Sequence, residues 1–203
     1  GRGQRGHVWQ SDEGKNLTFS VVLEPKFLTV SKQFLLLETV ALSLADFFEK
    51  QGVTVAVKWT NDIYVGDKKL CGILIENALC GPTIDTCIVG IGININQELF
   101  TSNAPNPISL KQLNGRDNDR EEIFEEIYQN ILRYYDYLAD NWQNNDIKQS
   151  LHYEYMNNLY RRVGYHNYST PEGEKFSAEI EEIGPQGHLT LRLQSSELRT
   201  FAL

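Results

Sequence analysis

Four short segments of this 203-residue chain carry residue types and spacings that could do chemistry. The first, Gly1-Arg2-Gly3-Gln4-Arg5-Gly6-His7-Val8-Trp9, is a glycine loop with two arginines and no acid before Asp12. Glycines let a backbone approach a ligand closely, and guanidinium forks match phosphate and carboxylate. The loop contains G-x-G-x-x-G, but the residues after it open no amphipathic helix, which argues against a dinucleotide fingerprint. The Gly-Lys-Ser/Thr ending of a P-loop is absent too. The second segment is Lys58-Trp59-Thr60-Asn61-Asp62-Ile63, where a cation and an aromatic at a strand end lead into an Asn-Asp turn. In the third, Lys68 to Glu76, strand alternation places Lys69, Cys71, Ile73 and Ile75 on one face and Leu70, Gly72, Leu74 and Glu76 on the other. Lys69 is the candidate inward charge, and Gly72 marks a close approach by a ligand or another backbone. The fourth, Gly90-Ile91-Gly92-Ile93-Asn94-Ile95-Asn96, sets two glycines and Asn94 on one face as a flat floor. Taken singly, the first, second and fourth segments are open to a bland reading: a surface turn, a β-turn, which the second favours when taken alone, or a tight packing site. Together they describe a cleft suited to an anionic ligand.

The elements that must position these residues follow from periodicity. Leu17 to Leu23 reads as a strand ended by Pro25. A helix follows, capped by Ser31, with Phe34, Leu37, Val40, Ala41, Leu44, Phe47 and Phe48 along one face and Gly52 as its stop. Strands are expected at Thr54 to Trp59, Asp62 to Val65, Lys68 to Glu76 and Thr83 to Ile95, with a hairpin turn at Gly66-Asp67. A long loop spans 97–113. Ile123, Ile127, Ile131, Tyr134 and Leu138 predict a second helix with Asp119, Glu121 and Glu122 at its N-terminal end, and helical texture continues to about Tyr160. Short strands then recur at Phe176 to Ile183, Leu189 to Leu193 and Leu198 to Ala202. We expect a main α+β domain over 1–161 and a small β-barrel over 162–203.

Composition narrows the classes. With 19 Lys+Arg against 27 Asp+Glu the net charge is −8, which disfavours bulk nucleic-acid binding by this part of the chain. The three cysteines, Cys71, Cys80 and Cys87, lack CxxC or His spacing, so disulfide and zinc readings are weak, and Cys71 and Cys87 read as buried thiols. No transmembrane stretch or signal peptide is legible, and a soluble cytoplasmic protein is expected. Both ends fall in mid-pattern, as in a fragment of a longer chain.

The order GRGQRGHVW…KWTNDIYVGDKKLCGILIE…GIGININ resembles the biotin–protein ligase catalytic domain, closely from Gly1 to about Asn96 and more loosely beyond. That resemblance implies a mixed sheet flanked by helices, class II synthetase-like, followed by a small SH3-like barrel. It implies ATP-dependent formation of biotinyl-5′-AMP and transfer of biotin to a lysine of a biotin carboxyl carrier domain. It also implies Mg²⁺ on the ATP, no membrane or nucleic-acid partner for this part, and leaves room for a homodimer. By the same resemblance Lys69, Arg2, Arg5 and Asp62 are catalytic. Gly1, Arg2, Gly3, Trp9, Lys69, Gly72, Ile73, Gly90 and Gly92 would contact biotin. Arg5, Lys58, Asn61, Lys69 and Asn94 would contact ATP, with Mg²⁺ near Asn61 and Asp62.

Three departures from the family pattern stand out. Gln4 replaces a common arginine, His7 stands where another arginine is frequent, and Thr60 replaces the proline of KWPNDI. The family's residues that grip the biotin ureido ring would precede Gly1. A lipoate or octanoate transferase of related fold is the nearest rival, but its glycine-rich loop and His-Asp pair are not found. A biotin-sensing regulator is the rival from another class.

Overall fold

The computed structural model describes residues 1, 3, 9–101 and 106–203. Its first half is built on a five-stranded sheet in the order β1 (Leu17–Leu23), β5 (Thr83–Ile93), β4 (Lys68–Cys80), β3 (Asp62–Val65) and β2 (Ala56–Lys58). All ladders in this sheet are antiparallel. Among the described residues, parallel pairing is confined to isolated bridges, Val57 to Leu159 and Lys69 to Pro107. Alternation along the strands sorts side chains to two faces. Val21, Leu23, Ile63, Cys71, Ile73, Cys87, Val89, Ile91 and Ile93 enter the core.

That core is completed by α1 (Phe34–Lys50), α3 (Arg120–Asp140) and α4 (Asn145–Asn157). The sequence predicts a one-sided α1, but the helix is buried nearly all round, Glu38, Thr39 and Ser43 included. It lies between the sheet, α3 and α4, so it has no wet face. Thr39 and Ser43 satisfy their hydroxyls on the carbonyls of Leu35 and Val40, at 2.6 and 2.7 Å. Ser31 does not cap α1. It lies in a 3₁₀ turn, Val30–Lys32, with its hydroxyl 3.1 Å from that of Thr29, and α1 starts after Gln33 without a side-chain cap. Burial rather than capping holds this helix. Asp119 caps α3 by accepting from the amides of Glu121 and Glu122, an arrangement worth about 1 kcal/mol. The long loop after β5 contains a further short helix, α2 (Leu110–Asn114), held by a Ser109/Gln112 capping box.

The C-terminal strands β6 (His166–Ser169), β7 (Lys175–Ile183), β8 (Leu189–Leu193) and β9 (Leu198–Phe201) form a second antiparallel sheet in chain order. The sequence pattern did not disclose β6. Tyr168, Phe176 and Phe201 stack along this sheet at centroid spacings of 6.0 Å. Its β7–β8 turn reaches the segment between β2 and β3. Gly187, at φ +86°, offers its carbonyl to the indole Nε1 of Trp59 at 2.8 Å. A side chain at Gly187 would collide with the Phe34 ring, so both the space and the backbone require glycine there. No described helix is long and apolar enough to cross a membrane.

Candidate functional site

The face of the five-stranded sheet turned away from the helices carries Gly72, Gly90, Gly92 and Asp62. Gly72 pairs with Gly92 across β4 and β5, and Asp62 with Gly72 across β3 and β4. Lys69 also belongs to this face, which overturns the simple alternation. Ile63 pairs with Cys71 and the next residue, Tyr64, with Lys69, so Leu70 is an extra residue in β4. A bulge of this kind inverts the phase of every side chain beyond it. Leu70 and Cys71 are both fully buried, while the Lys69 side chain swings over Gly72, where a built Cβ would stand 3.3 Å from its Cε. Without the bulge, Lys69 would enter the hydrophobic core.

Lys69 Nζ lies 2.7 Å from Asp62 Oδ1, both side chains about one-fifth exposed (22% and 21%). This pair is the charged centre of the described site. The turn that presents Asp62 is anchored by Asn61, whose carbonyl accepts from the Ile73 amide at 2.8 Å and whose side-chain amide donates to the Ile73 carbonyl. Thr60 donates from its hydroxyl to Asn61 Oδ1 at 2.7 Å. Asn61 is therefore a brace that fixes where Asp62 sits.

The floor is paved rather than bare. The Trp9 indole lies on Gly92, where a Cβ would come within 2.5 Å of Cε2, and reaches Gly72, where a Cβ would stand 3.3 Å from Cζ3. Lys69 Nζ sits 5.6 Å from the centroid of the same ring. The indole Nε1 is buried without a hydrogen-bond partner among the described residues, a state that costs roughly 1–3 kcal/mol. Trp9 is held in place through its backbone, which exchanges hydrogen bonds with Gly1 at 2.8 and 2.9 Å. Gly90 stays open, with Leu74 and Ser20 atoms at 3.5 Å or more from a built Cβ.

The remaining expected residues separate. Arg2 and Arg5 lie outside the described residues, as do Gln4 and His7. Ile73 is 1% exposed and faces the core, so it supports the floor from beneath. Lys58 Nζ is 3.0 Å from the Tyr64 hydroxyl and 4.6 Å from that ring's centroid. Asn94 is buried and its amide donates to the carbonyls of Ile108 and Lys69, at 3.1 and 3.4 Å. It ties the end of β5 to the start of β4 and the segment before α2. Tyr64, the partner of Lys58, was missed by sequence reasoning. Its outward register beside Asp62 is the signal that could have found it.

The described residues include no group of three or more His, Cys, Asp or Glu side chains placed to hold a metal. Cys71 and Cys87 are buried free thiols, and burial pushes the Cys87 thiol up to about 12, so neither is a nucleophile near neutral pH. The arrangement offers one buried-edge cation, one carboxylate and a glycine-lined surface under an aromatic ring. It can neutralise and align an anion, and the carboxylate can accept a proton.

The chain resembles known proteins in sequence and in fold. Residues 1–94 match the model of the biotin/lipoate A/B protein ligase family. The bifunctional ligase/repressor BirA of Bacillus subtilis is 34% identical over 146 residues, covering 68% of this chain and 44% of the relative. The biotin–[acetyl-CoA-carboxylase] ligase of Paracoccus denitrificans is 30% identical over 132 residues, covering 62% of this chain and 54% of the relative. The chain thus spans about half the length of these curated relatives. Among solved structures, the biotin protein ligase of Aquifex aeolicus in complex with biotin and ATP superposes with a TM-score of 0.76 at 24% identity, covering 98% of this chain and 80% of that one. That likeness establishes the fold: a biotin-ligase catalytic sheet flanked by helices, followed by a small β unit. Matched motifs, curated relatives and fold agree, and the chain belongs to the biotin/lipoate A/B protein ligase family.

Proposed function

We propose that this chain is the catalytic part of an ATP-dependent biotin–protein ligase, with residues 1–161 as the catalytic unit and 162–203 as an appended β unit. The observation that carries the reading is the Lys69–Asp62 pair set beside Gly72, Gly90 and Gly92 on one face of the sheet. In the first step a biotin carboxylate oxygen attacks the α-phosphorus of ATP, the bond to the β-phosphoryl oxygen breaks and pyrophosphate leaves. Two anions must meet, so neutralisation and alignment dominate. Lys69 supplies the cation, and Arg2 and Arg5 would add two more from the loop. An arriving carboxylate or phosphate competes with Asp62 for Lys69, which frees the carboxylate.

In the second step the amine of an acceptor lysine attacks the carbonyl carbon of the mixed anhydride, AMP leaves, and the nitrogen sheds a proton. Asp62 stands where it can orient that amine or take the proton. Wild-type transfer from preformed biotinyl-5′-AMP in an Asp62→Asn variant would refute this role. With one turn carboxylate already paired to Lys69, the described donor set fits no protein-built metal cage. Mg²⁺ is assigned as the counter-ion of the ATP phosphates, near Asn61 and Asp62. The acceptor is a biotin carboxyl carrier domain, in keeping with the name of the Paracoccus relative, a biotin–[acetyl-CoA-carboxylase] ligase, and the setting is the cytoplasm.

Calorimetric titration with biotin and with lipoate tests the choice of substrate. Heat of binding with biotin and none with lipoate is expected. The opposite preference would move the chain to the lipoate branch of the family.

A further inference from the structure

Behind the Thr60-Asn61-Asp62 turn, on the core side, lies a carboxylate that the proposed chemistry does not use. Glu38 sits in the second turn of α1, 2% exposed, among leucines and phenylalanines. An ionised carboxylate in such a place costs several kcal/mol unless it is partnered. The partner is His152 of α4, whose Nδ1 is 2.6 Å from Glu38 Oε1 and whose side chain is 37% exposed. One turn further along the same helix face, Tyr155 is fully buried. It stacks edge-on against Phe34 at 5.5 Å and directs its hydroxyl at the Thr60 carbonyl, 3.5 Å away.

The end of α4 is joined directly to the strand that leads into the turn. The Val57 amide donates to the Asn158 carbonyl at 2.7 Å, and the Tyr160 amide donates to the Val57 carbonyl at 2.9 Å. The Tyr160 ring packs on Tyr64 at 5.3 Å, and its hydroxyl donates to Asp67 at the far end of the β3 hairpin. Thus α4 reaches the turn at Thr60 through Tyr155, and the residues just after it, Asn158 and Tyr160, hold Val57, Tyr64 and Asp67. The same helix is tied to α1 by the Glu38–His152 pair and by the Phe34–Tyr155 ring contact.

We infer that the Glu38–His152 pair is a positioning device for the site: by pinning α4 to α1 it sets where the Thr60–Asp62 turn holds Asp62 against Lys69. The inference depends on the ligase reading only for what the turn does, not for how it is held. Burial raises the Glu38 carboxyl despite the opposing pull of His152, and the hydrogen bond to Glu38 raises the His152 imidazole. Glu182 of β7 acts in the same direction on His152, and Tyr155 also lies within the field of Glu38. Both members of the pair therefore hold protons more firmly folded than unfolded. The His152 contribution is present below the ordinary imidazole value of 6.5 and is lost as pH rises through the raised one. That of Glu38 is present below the ordinary carboxyl value of 4.5 and is lost as pH rises through its own raised value.

The test follows His152 by NMR in the full chain as pH rises, together with the backbone amides of Thr60, Asn61, Asp62 and Lys69. We expect the turn amides to move with the midpoint of His152, above 6.5, and this coupling to vanish in Glu38→Gln. In the same variant, kcat for pyrophosphate release should fall about ten-fold with KM for ATP little changed, the scale of a slight misplacement of catalytic groups. Turn amides that stay still while His152 titrates would overturn the inference, and that arm needs no variant to fold. Absence of pyrophosphate in the wild type would instead count against the ligase reading and leave the NMR result to decide the positioning.

Discussion

The two faces of the five-stranded sheet are made from the same strands and obey opposite rules. On the helix side, Val89, Ile91 and Ile93 of β5 alternate with Gly90 and Gly92 on the other side. The helix side fills these positions of β5 with apolar volume. The open side gives up side chains, admits a lysine and a carboxylate, and lets an indole lie on the backbone. The difference shows how one strand sequence, V-G-I-G-I over 89–93, can separate stability from function, residue by residue. Substitutions on one face should be felt in unfolding, and on the other in chemistry.

The largest effect is expected at Lys69. Lys69→Ala should lower the rate of adenylate formation by about 100- to 1000-fold, with the melting temperature nearly unchanged because the side chain lies on the open face. Near-normal adenylate formation would remove Lys69 from the catalytic set. On the helix side, Ile91→Ala should cost about 2–5 kcal/mol of stability, read as a melting temperature lower by roughly 5–15 °C. If Ile91→Ala instead left the melting point alone, the division between faces would fail.

A smaller and more diagnostic effect is expected at Gly92, one residue away but on the other face. Gly92→Ala inserts a methyl within 2.5 Å of the Trp9 ring. The indole must move, its fluorescence should shift, and biotin affinity should fall about ten-fold, a cost of about 1.4 kcal/mol. Unchanged binding and an unchanged spectrum would mean that the paved floor does not matter. Smallest is the pH effect at Glu38 and His152. Between pH ~6 and ~9 the wild-type melting temperature should fall more steeply than that of His152→Asn, since the raised imidazole releases its proton on unfolding.

Much of this was legible beforehand, for identifiable reasons. β1, the β3–β4 hairpin and α3 announce themselves through period-two or helical spacing, and the glycines of β4 and β5 through their placement in apolar runs. The bulge at Leu70 was not legible, because an extra residue has no composition of its own and shows only when β3 and β4 are paired. Consequently Lys69 was named as the inward charge but set on the wrong face relative to Gly72. The position of Trp9 on Gly92 is a tertiary contact between residues 83 positions apart, which local pattern cannot reveal. Glu38 could have been noticed, since a lone acid in Leu35-Leu36-Leu37-Glu38-Thr39-Val40 asks for a partner. That the partner is His152 follows only from the packing of α4 on α1.

The most direct measurement supplies ATP, Mg²⁺ and biotin to the full-length natural chain containing these residues and follows pyrophosphate together with retained nucleotide. The account predicts biotin-dependent pyrophosphate release, with biotinyl-5′-AMP held by the protein until an acceptor domain is added. Pyrophosphate that fails to appear, or that appears without biotin, would contradict it.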